Sequence, residues 1–226
     1  MSAMTDATAT PGPDRRSRRK AETRTKLVDA ARSVFARQGI DVTTISQITE
    51  EADVGFGSFY NHFEGKEEIV TAVLEQVIAE AGEAIDRATS DIGDPAEVVA
   101  IAHRSLIAWA STDPELAWLL VRLNASQDAI LTTLGSYAAR DLNLGIEAER
   151  FSVDDRNIAL IAAGGALIAV IRAVLEGRAG EHADEHHAAA VLRMFGVPPA
   201  EAAQLAGRPL PALASRVTTS VPQEWS

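Results

Sequence analysis

The chain contains no cysteine, so disulfides and thiolate chemistry are excluded. No nucleophile–base pattern, P-loop or Gly-rich dinucleotide fingerprint occurs, and paired carboxylates are only scattered surface neighbours. Nothing here points to a catalytic residue, a cofactor or a metal. No alternating strand pattern and no internal repeat stands out. The longest wholly apolar run, Ile158 to Ile171, contains two glycines and falls short of the roughly 20 residues a membrane span needs. The arginines near the N-terminus are not followed by the apolar stretch of a signal peptide. These absences lead us to expect an all-α, cytoplasmic chain with no membrane partner. Its 226 residues and 46% apolar content suffice for one small domain and one larger core.

Positive charge is the other scarce quantity, since the net charge is −11. It is unevenly spread. Residues 1–66 carry ten Lys/Arg against nine Asp/Glu, whereas residues 67–226 carry eleven Arg against twenty-three Asp/Glu. Within the first segment Arg15, Arg16, Arg18, Arg19, Lys20, Arg24 and Lys26 are concentrated. Such an arm can pair with phosphates and release counterions; a solvated, disordered tail reads the same residues, and the two readings are compatible. The acidic remainder would repel DNA and confine contact to one end.

What is present, and most specific, is the string Thr43–Lys66. Thr44 followed by Gln47 fits a capping box. Ile45, Ile48 and Ala52 then share one helical face, with Glu50 and Glu51 outside. Asp53-Val54-Gly55 breaks that helix, and Val54 is the expected apolar plug. A second helix is expected from Phe56 to Phe63, with Phe59 and Phe63 (i, i+4) in the core. Gly57, Ser58, Tyr60, Asn61 and His62 are left at its outer face. Gly57 permits close backbone approach to DNA, Ser58, Tyr60 and His62 can donate to phosphate oxygens, and Asn61 can read a base edge. Lys66 can add a charge contact. Taken singly, Tyr60 and His62 are equally readable as packed surface residues.

The string resembles the N-terminal domain of the tetracycline-repressor (TetR) family of bacterial transcriptional regulators. Phe35, Gly39, Thr44, Ile48, Ala52, Val54, Gly57, Ser58, Phe59, Tyr60, His62, Phe63, Lys66 and Glu67 carry the likeness over about residues 23–70. The resemblance implies DNA-facing roles for Thr44, Ser58, Tyr60, His62 and Lys66. Gly55 departs from the family's frequent serine cap, at a cost of a few tenths of a kcal/mol. Phe56 stands where a lysine often meets phosphate, which puts that contact in doubt.

The expected organisation is a disordered basic arm (1–20), a three-helix helix-turn-helix domain (21–66), a larger helical effector-binding and dimerisation domain (67–206) and a flexible tail (207–226). Helix one is expected from about Thr23 to Gln38, ending at Gly39, and a long amphipathic helix from Lys66 to about Ala88. Further helices are expected over about 95–111, from 114, from 126 or 127 to 150, from 154 to 177 and over 182–195, with a short turn after Val197-Pro198-Pro199. Ile158 to Ile171 is apolar all round and must be covered on every side. The resemblance implies that this helix and the last long one form a four-helix bundle with a second copy; a monomer core is the other reading. A C2 homodimer would set two recognition helices about 34 Å apart and demand a palindromic operator in double-stranded DNA.

The resemblance also implies an unknown small-molecule effector that shifts the DNA-binding heads apart. Trp109, Trp118, Arg122, Tyr137, Arg140 and Asn157 are candidate lining residues, each also readable as ordinary packing. His182 and His186 lie i, i+4 among Glu181, Asp184, Glu185 and His187, and this cluster is read as a solvated helix start rather than a metal site. The functional expectation is a dimeric, sequence-specific transcriptional repressor released by an effector. The alternative is an all-helical enzyme or small-molecule-binding protein that uses the aromatic helix only for packing.

Overall fold

The computed structural model describes residues 15–123 and 128–212. Every element among them is helical: α1 (Arg15–Gln38), α2 (Ile45–Glu51), α3 (Phe56–Phe59), α4 (Lys66–Thr89), α5 (Pro95–Thr112), α6 (Pro114–Leu123), α7 (Asp128–Glu147), α8 (Arg156–Leu175), α9 (Ala183–Met194) and α10 (Pro199–Ala206). The chain divides into two units, Met1–Val73 and Leu74–Ser226. The division falls inside α4, seven residues beyond the boundary expected at 66. The bounds given to the arm (1–20) and to the tail (207–226) extend onto residues 1–14 and 213–226, which lie outside the described residues, as does the expected start of α7 at 126 or 127.

In the first unit, α1 begins at Arg15 rather than near Thr23. Arginine and lysine have good intrinsic helix propensity, so the basic residues 15–20 extend the helix instead of forming an arm. Leu27, Ala31, Val34 and Phe35 are buried as their spacing requires. Gly39 ends α1 at φ +87°, the left-handed conformation glycine adopts without penalty. The capping box forms: Thr44 Oγ1 accepts from Gln47 N at 3.3 Å, and Gln47 Oε1 accepts from Thr44 N at 2.9 Å. Between α2 and α3, Asp53 takes φ +52°, a conformation Asp tolerates better than most residues.

α3 is shorter than expected. It ends at Phe59, and beyond it the backbone tightens through Asn61 N to Ser58 O (3.2 Å) and His62 N to Phe59 O (2.9 Å). These are i→i+3 bonds, the tighter pattern common at helix ends. Phe63 N still reaches Phe59 O at 3.0 Å, so Phe59 and Phe63 both stay buried with ring centroids 5.5 Å apart.

The second unit is built around α5, which packs on α7, α8, α9 and α10. Asp94 caps α5 through Ala96 N (2.9 Å), with Pro95 at the first helical position, where a missing N–H costs nothing. Asp155 caps α8 through Asn157 N (2.8 Å) and Ile158 N (3.1 Å). Phe151, Leu192, Phe195 and Leu205 occupy the centre of the core. Arg150 joins Asp94 (2.9 Å) and Glu201 (2.6 Å), fixing the α7–α8 loop to α5 and α10. Burial opposes ionisation of Asp94, but the Arg150 hydrogen bond and the Ala96 N–H outweigh it and hold the carboxyl below its usual range.

By length and composition α8 is long and apolar enough to cross a membrane. The apolar run of Ile158–Ile171 understated this, because the helix continues to Leu175 past a single arginine. In the second unit α8 packs on α5, α6, α7 and α9. Ile158, Ile161, Ala162, Gly165, Ala166 and Ala169 remain exposed as one stripe.

Candidate nucleic-acid interface and effector cavity

The first unit holds the candidate DNA-facing residues in one local frame. Thr44, Gly57, Tyr60 and Asn61 are exposed, while Ser58 and His62 are half-buried. Tyr60 packs edge-on against Phe56 (5.7 Å) and against buried Phe59 (5.4 Å). Its phenol is therefore carried on a ring fixed from the core. A Cβ at Gly57 would meet nothing within 4 Å, so this stretch of backbone is bare. The hydroxyl of Thr44 serves the capping box.

Two candidates also interact within the chain. Lys66 Nζ donates to Asp41 O at 2.9 Å, so its ammonium holds the α1–α2 loop to the start of α4. His62 is kept below the ordinary imidazole range by burial first, then by the positive charges of Lys20 and Arg24, and its Nδ1 is buried without a hydrogen-bond partner. This favours the neutral imidazole, which keeps one N–H that can donate to a phosphate oxygen. Arg24 also lies over the Phe63 ring at 5.1 Å. Sequence periodicity could not show these roles, because each depends on a partner many residues away.

The second unit contains a cavity of about 370 Å³, within the range of small-molecule sites. Its wall is mostly apolar, with Ile85, Val99, Leu106, Leu160, Leu167 and Ile168 prominent; Asp86, His103, Tyr137 and Asp141 are the ionisable residues in the lining. Of the six residues expected to line a pocket, Tyr137 does so. Arg140 sits just behind the wall. It donates to both oxygens of Asp86 (2.6 Å each) and to Asp141 (2.7 Å). Trp109, Trp118, Arg122 and Asn157 do not line this cavity. Trp109 is buried core, and the Asn157 backbone is used in the Asp155 cap.

Asp86, Asp141 and His103 were missed from sequence. The available signal was a charged or imidazole residue inside an otherwise apolar helical face, as in Ile85-Asp86 or Ala102-His103. Burial raises the Asp141 carboxyl, and the Arg140 hydrogen bond only partly offsets it. Arg140 itself is held more firmly charged, first by Asp86 and then by Asp141. Both groups shift upward: the pair attracts and firms the charge on Arg140, but Asp141 is the more buried partner and burial prevails there.

His187, expected on a solvated helix start, instead turns inward. It is 5% exposed, and its Nε2 lies 3.0 Å from Nδ1 of His103 on α5. Arg104, next in sequence, pairs with Asp184 at 2.8 Å, so α9's first turn is drawn onto α5. Burial, with His187 as a lesser cause, pushes His103 down to about 3. As pH falls below about 6.5, the unfolded chain takes up a proton that folded His103 refuses until about pH 3. Stability should therefore decline with falling pH in that window, by at most about 1.4 kcal/mol per pH unit. Urea melts at pH 7 and pH 5 check this: His103→Gln should show a shallower loss than the wild-type chain, and an equal loss in both would refute it.

Comparison with known proteins then decides the family. Residues 27–73 match the model described as "Bacterial regulatory proteins, tetR family", and residues 94–208 match "Tetracyclin repressor-like, C-terminal domain". The chain belongs to the TetR family. Like other TetR-family chains it is a helix-turn-helix protein of the bacterial transcriptional regulators. The transcriptional regulator BetI of Brucella canis is 31% identical over 150 residues, covering 64% of this chain and 75% of BetI. SrpR of Pseudomonas putida is 47% identical over 53 residues, and this match spans only a quarter of SrpR. The crystal structure of RolR in complex with resorcinol superposes with a TM-score of 0.77 at 36% identity, covering 87% of this chain and 99% of RolR. FadR of Thermus thermophilus, with lauroyl-CoA, shares the fold at 20% identity and a TM-score of 0.64, covering 76% of this chain and 92% of FadR.

Proposed function

We propose that this TetR-family chain is a homodimeric repressor whose α2–α3 pair reads a palindromic operator, and that a small effector in the second unit's cavity releases it. The observation that supports it most is the capped α2 followed closely by α3, with Thr44, Gly57, Tyr60 and Asn61 each exposed, in a chain matched over residues 27–73 by the family's regulatory-protein model. An enzyme would need neither. A cytoplasmic setting follows from access to the genome.

Tyr60 is the best single test of the interface. Its ring rests on Phe59, so Tyr60→Ala leaves the core intact. The variant should lose about 1–3 kcal/mol of operator binding, the worth of one positioned contact. Anisotropy titration on a selected duplex checks this, with circular dichroism to verify folding; unchanged affinity would remove Tyr60 from the interface.

For the dimer, the exposed stripe on α8 supplies the surface. A soluble helix that leaves isoleucines at positions 158 and 161 61% and 69% exposed invites a covering partner, and a second copy presents the same stripe. Ile161 and Gly165 belong to both the stripe and the cavity wall. Pairing and effector binding would then share one helix, through which a ligand preferring one conformation can bias the other site.

The cavity favours a compact, largely apolar effector bearing hydrogen-bond donors toward the Asp86–Asp141 end. A hydroxylated aromatic ring has that chemistry, in keeping with the resorcinol held by RolR. Titration with resorcinol and other simple phenols, read by operator release, tests the class. Tyr137→Phe should weaken the effective phenol several-fold, about 1 kcal/mol for one hydrogen bond, with operator affinity unchanged. If no phenol releases the operator, the effector class is wrong.

A further inference from the structure

Phe56 is a large apolar side chain left 53% exposed at the first position of α3. Neither capping nor core packing accounts for it. The core residue of this turn is Phe59, which is fully buried. Among the described residues, the aromatic neighbour of Phe56 is Tyr60, met edge-on at 5.7 Å and itself 54% exposed. On either side, a Cβ at Gly55 or Gly57 would meet nothing within 4 Å. The ring is therefore about half open to solvent, flanked by bare backbone and steadied on one edge by Tyr60.

This ring contacts Tyr60, one of the residues assigned above to operator DNA. A phenyl ring can neither pair with a phosphate nor donate to a base edge. The major groove does offer one apolar group, the 5-methyl of thymine, and a phenylalanine side chain is suited to meet it. Burying the methyl against the ring removes apolar surface of both partners from water. We propose that Phe56 is a specificity-determining residue that reads a thymine in each half-site through its 5-methyl group, with Tyr60 as the positioning residue that fixes the ring. The inference rests on the DNA-binding reading of the first unit and adds the base identity and the atom recognised.

The test uses the full chain and the duplex it selects from a random pool. Each thymine of the half-site is replaced in turn by 2′-deoxyuridine, symmetrically in both halves, which deletes the methyl and leaves base pairing intact. Wild-type protein should lose about four-fold in affinity per half-site at one such position, the worth of one buried methyl, and about fifteen-fold when both halves are altered. Phe56→Ala should bind the thymine duplex more weakly by a similar factor and be indifferent to the methyl there. Phe56→Leu, which keeps apolar bulk, should retain part of the discrimination.

Wild-type indifference to every thymine methyl would overturn the proposal, as would undiminished discrimination by Phe56→Ala. In both cases the chain still binds its duplex, so the DNA-binding reading survives. Enrichment of no duplex at all would instead take down that reading and this inference together.

Discussion

Replacing Ile158 and Ala166 by glutamate should turn the protein into a folded monomer that has lost about 10²–10⁴-fold in operator affinity, the usual worth of linking two binding modules. Both residues lie on the exposed stripe of α8 and neither lines the cavity. In an isolated chain the substitutions fall on solvent and should cost little stability. In a C2 dimer each stripe meets its own copy, so two carboxylates per chain enter an apolar interface where like charges face each other. Burying a Val, Leu, Ile or Phe side chain is worth about 1.5–3 kcal/mol, and four charges opposing that burial are enough to separate the copies. A lone first unit then binds half an operator without the high effective concentration its partner supplies. Light scattering reads the mass, and titration of the selected duplex reads the affinity. A variant that stays dimeric with unchanged operator binding would move the dimer interface off α8.

Gly145→Ala should be the most destabilising single methyl addition at any glycine of the second unit. A Cβ at Gly145 would lie 1.9 Å from the Phe151 ring. That ring is 5% exposed and packs edge-on against Phe195 at 5.2 Å, so it has nowhere to retreat. The Gly145 carbonyl also accepts from Arg150 N (2.8 Å) and Phe151 N (3.0 Å), which fixes the backbone against moving instead. Overpacking of this kind costs about 1–3 kcal/mol, and with both ring and backbone held we expect about 3 kcal/mol. That corresponds to a fall in Tm of roughly 6–12 °C for a unit of this size. Gly135→Ala on the same helix is the control. Its Cβ meets nothing within 4 Å, so it should be neutral or stabilising, up to the about 1 kcal/mol by which alanine exceeds glycine in helix interiors. Equal melting temperatures for the two variants would contradict the packing described for Gly145.

What the sequence revealed, and what it hid, divides along the range of the interactions involved. The capping box at Thr44 and Gln47, the stop at Gly39 and the buried faces of α1 and α4 depend on residues within a turn or two of each other, and spacing alone exposes them. The end of α3 at Phe59 was not legible, because an α-helical turn and the tighter i→i+3 turn place Phe59 and Phe63 on the same side. Still less visible were pairings across long stretches of chain. His187 looked solvated among acids and histidines, yet His103, far back on α5, draws it inside. Asp86 and Asp141 drew no reading from the sequence, and only Arg140 between them shows that they form one polar end of a cavity. Lys66, read as a DNA contact, also donates to the Asp41 carbonyl in the α1–α2 loop. The string that identified the family survived all this because it is local, and the cavity residues escaped because they are not.

In the function proposed above, two copies of α3, held by one dimer, read duplex DNA in a defined sequence. Footprinting of the purified protein on duplexes enriched from a random pool at moderate ionic strength tests it most directly. The expected result is a dyad-symmetric footprint whose half-sites lie about 34 Å apart, one helical turn of B-DNA or a multiple of it, and whose protection needs more protein in Tyr60→Ala, in line with a loss of about 1–3 kcal/mol. Failure of the pool to enrich any sequence over random competitor, with or without phenolic effector, would contradict it.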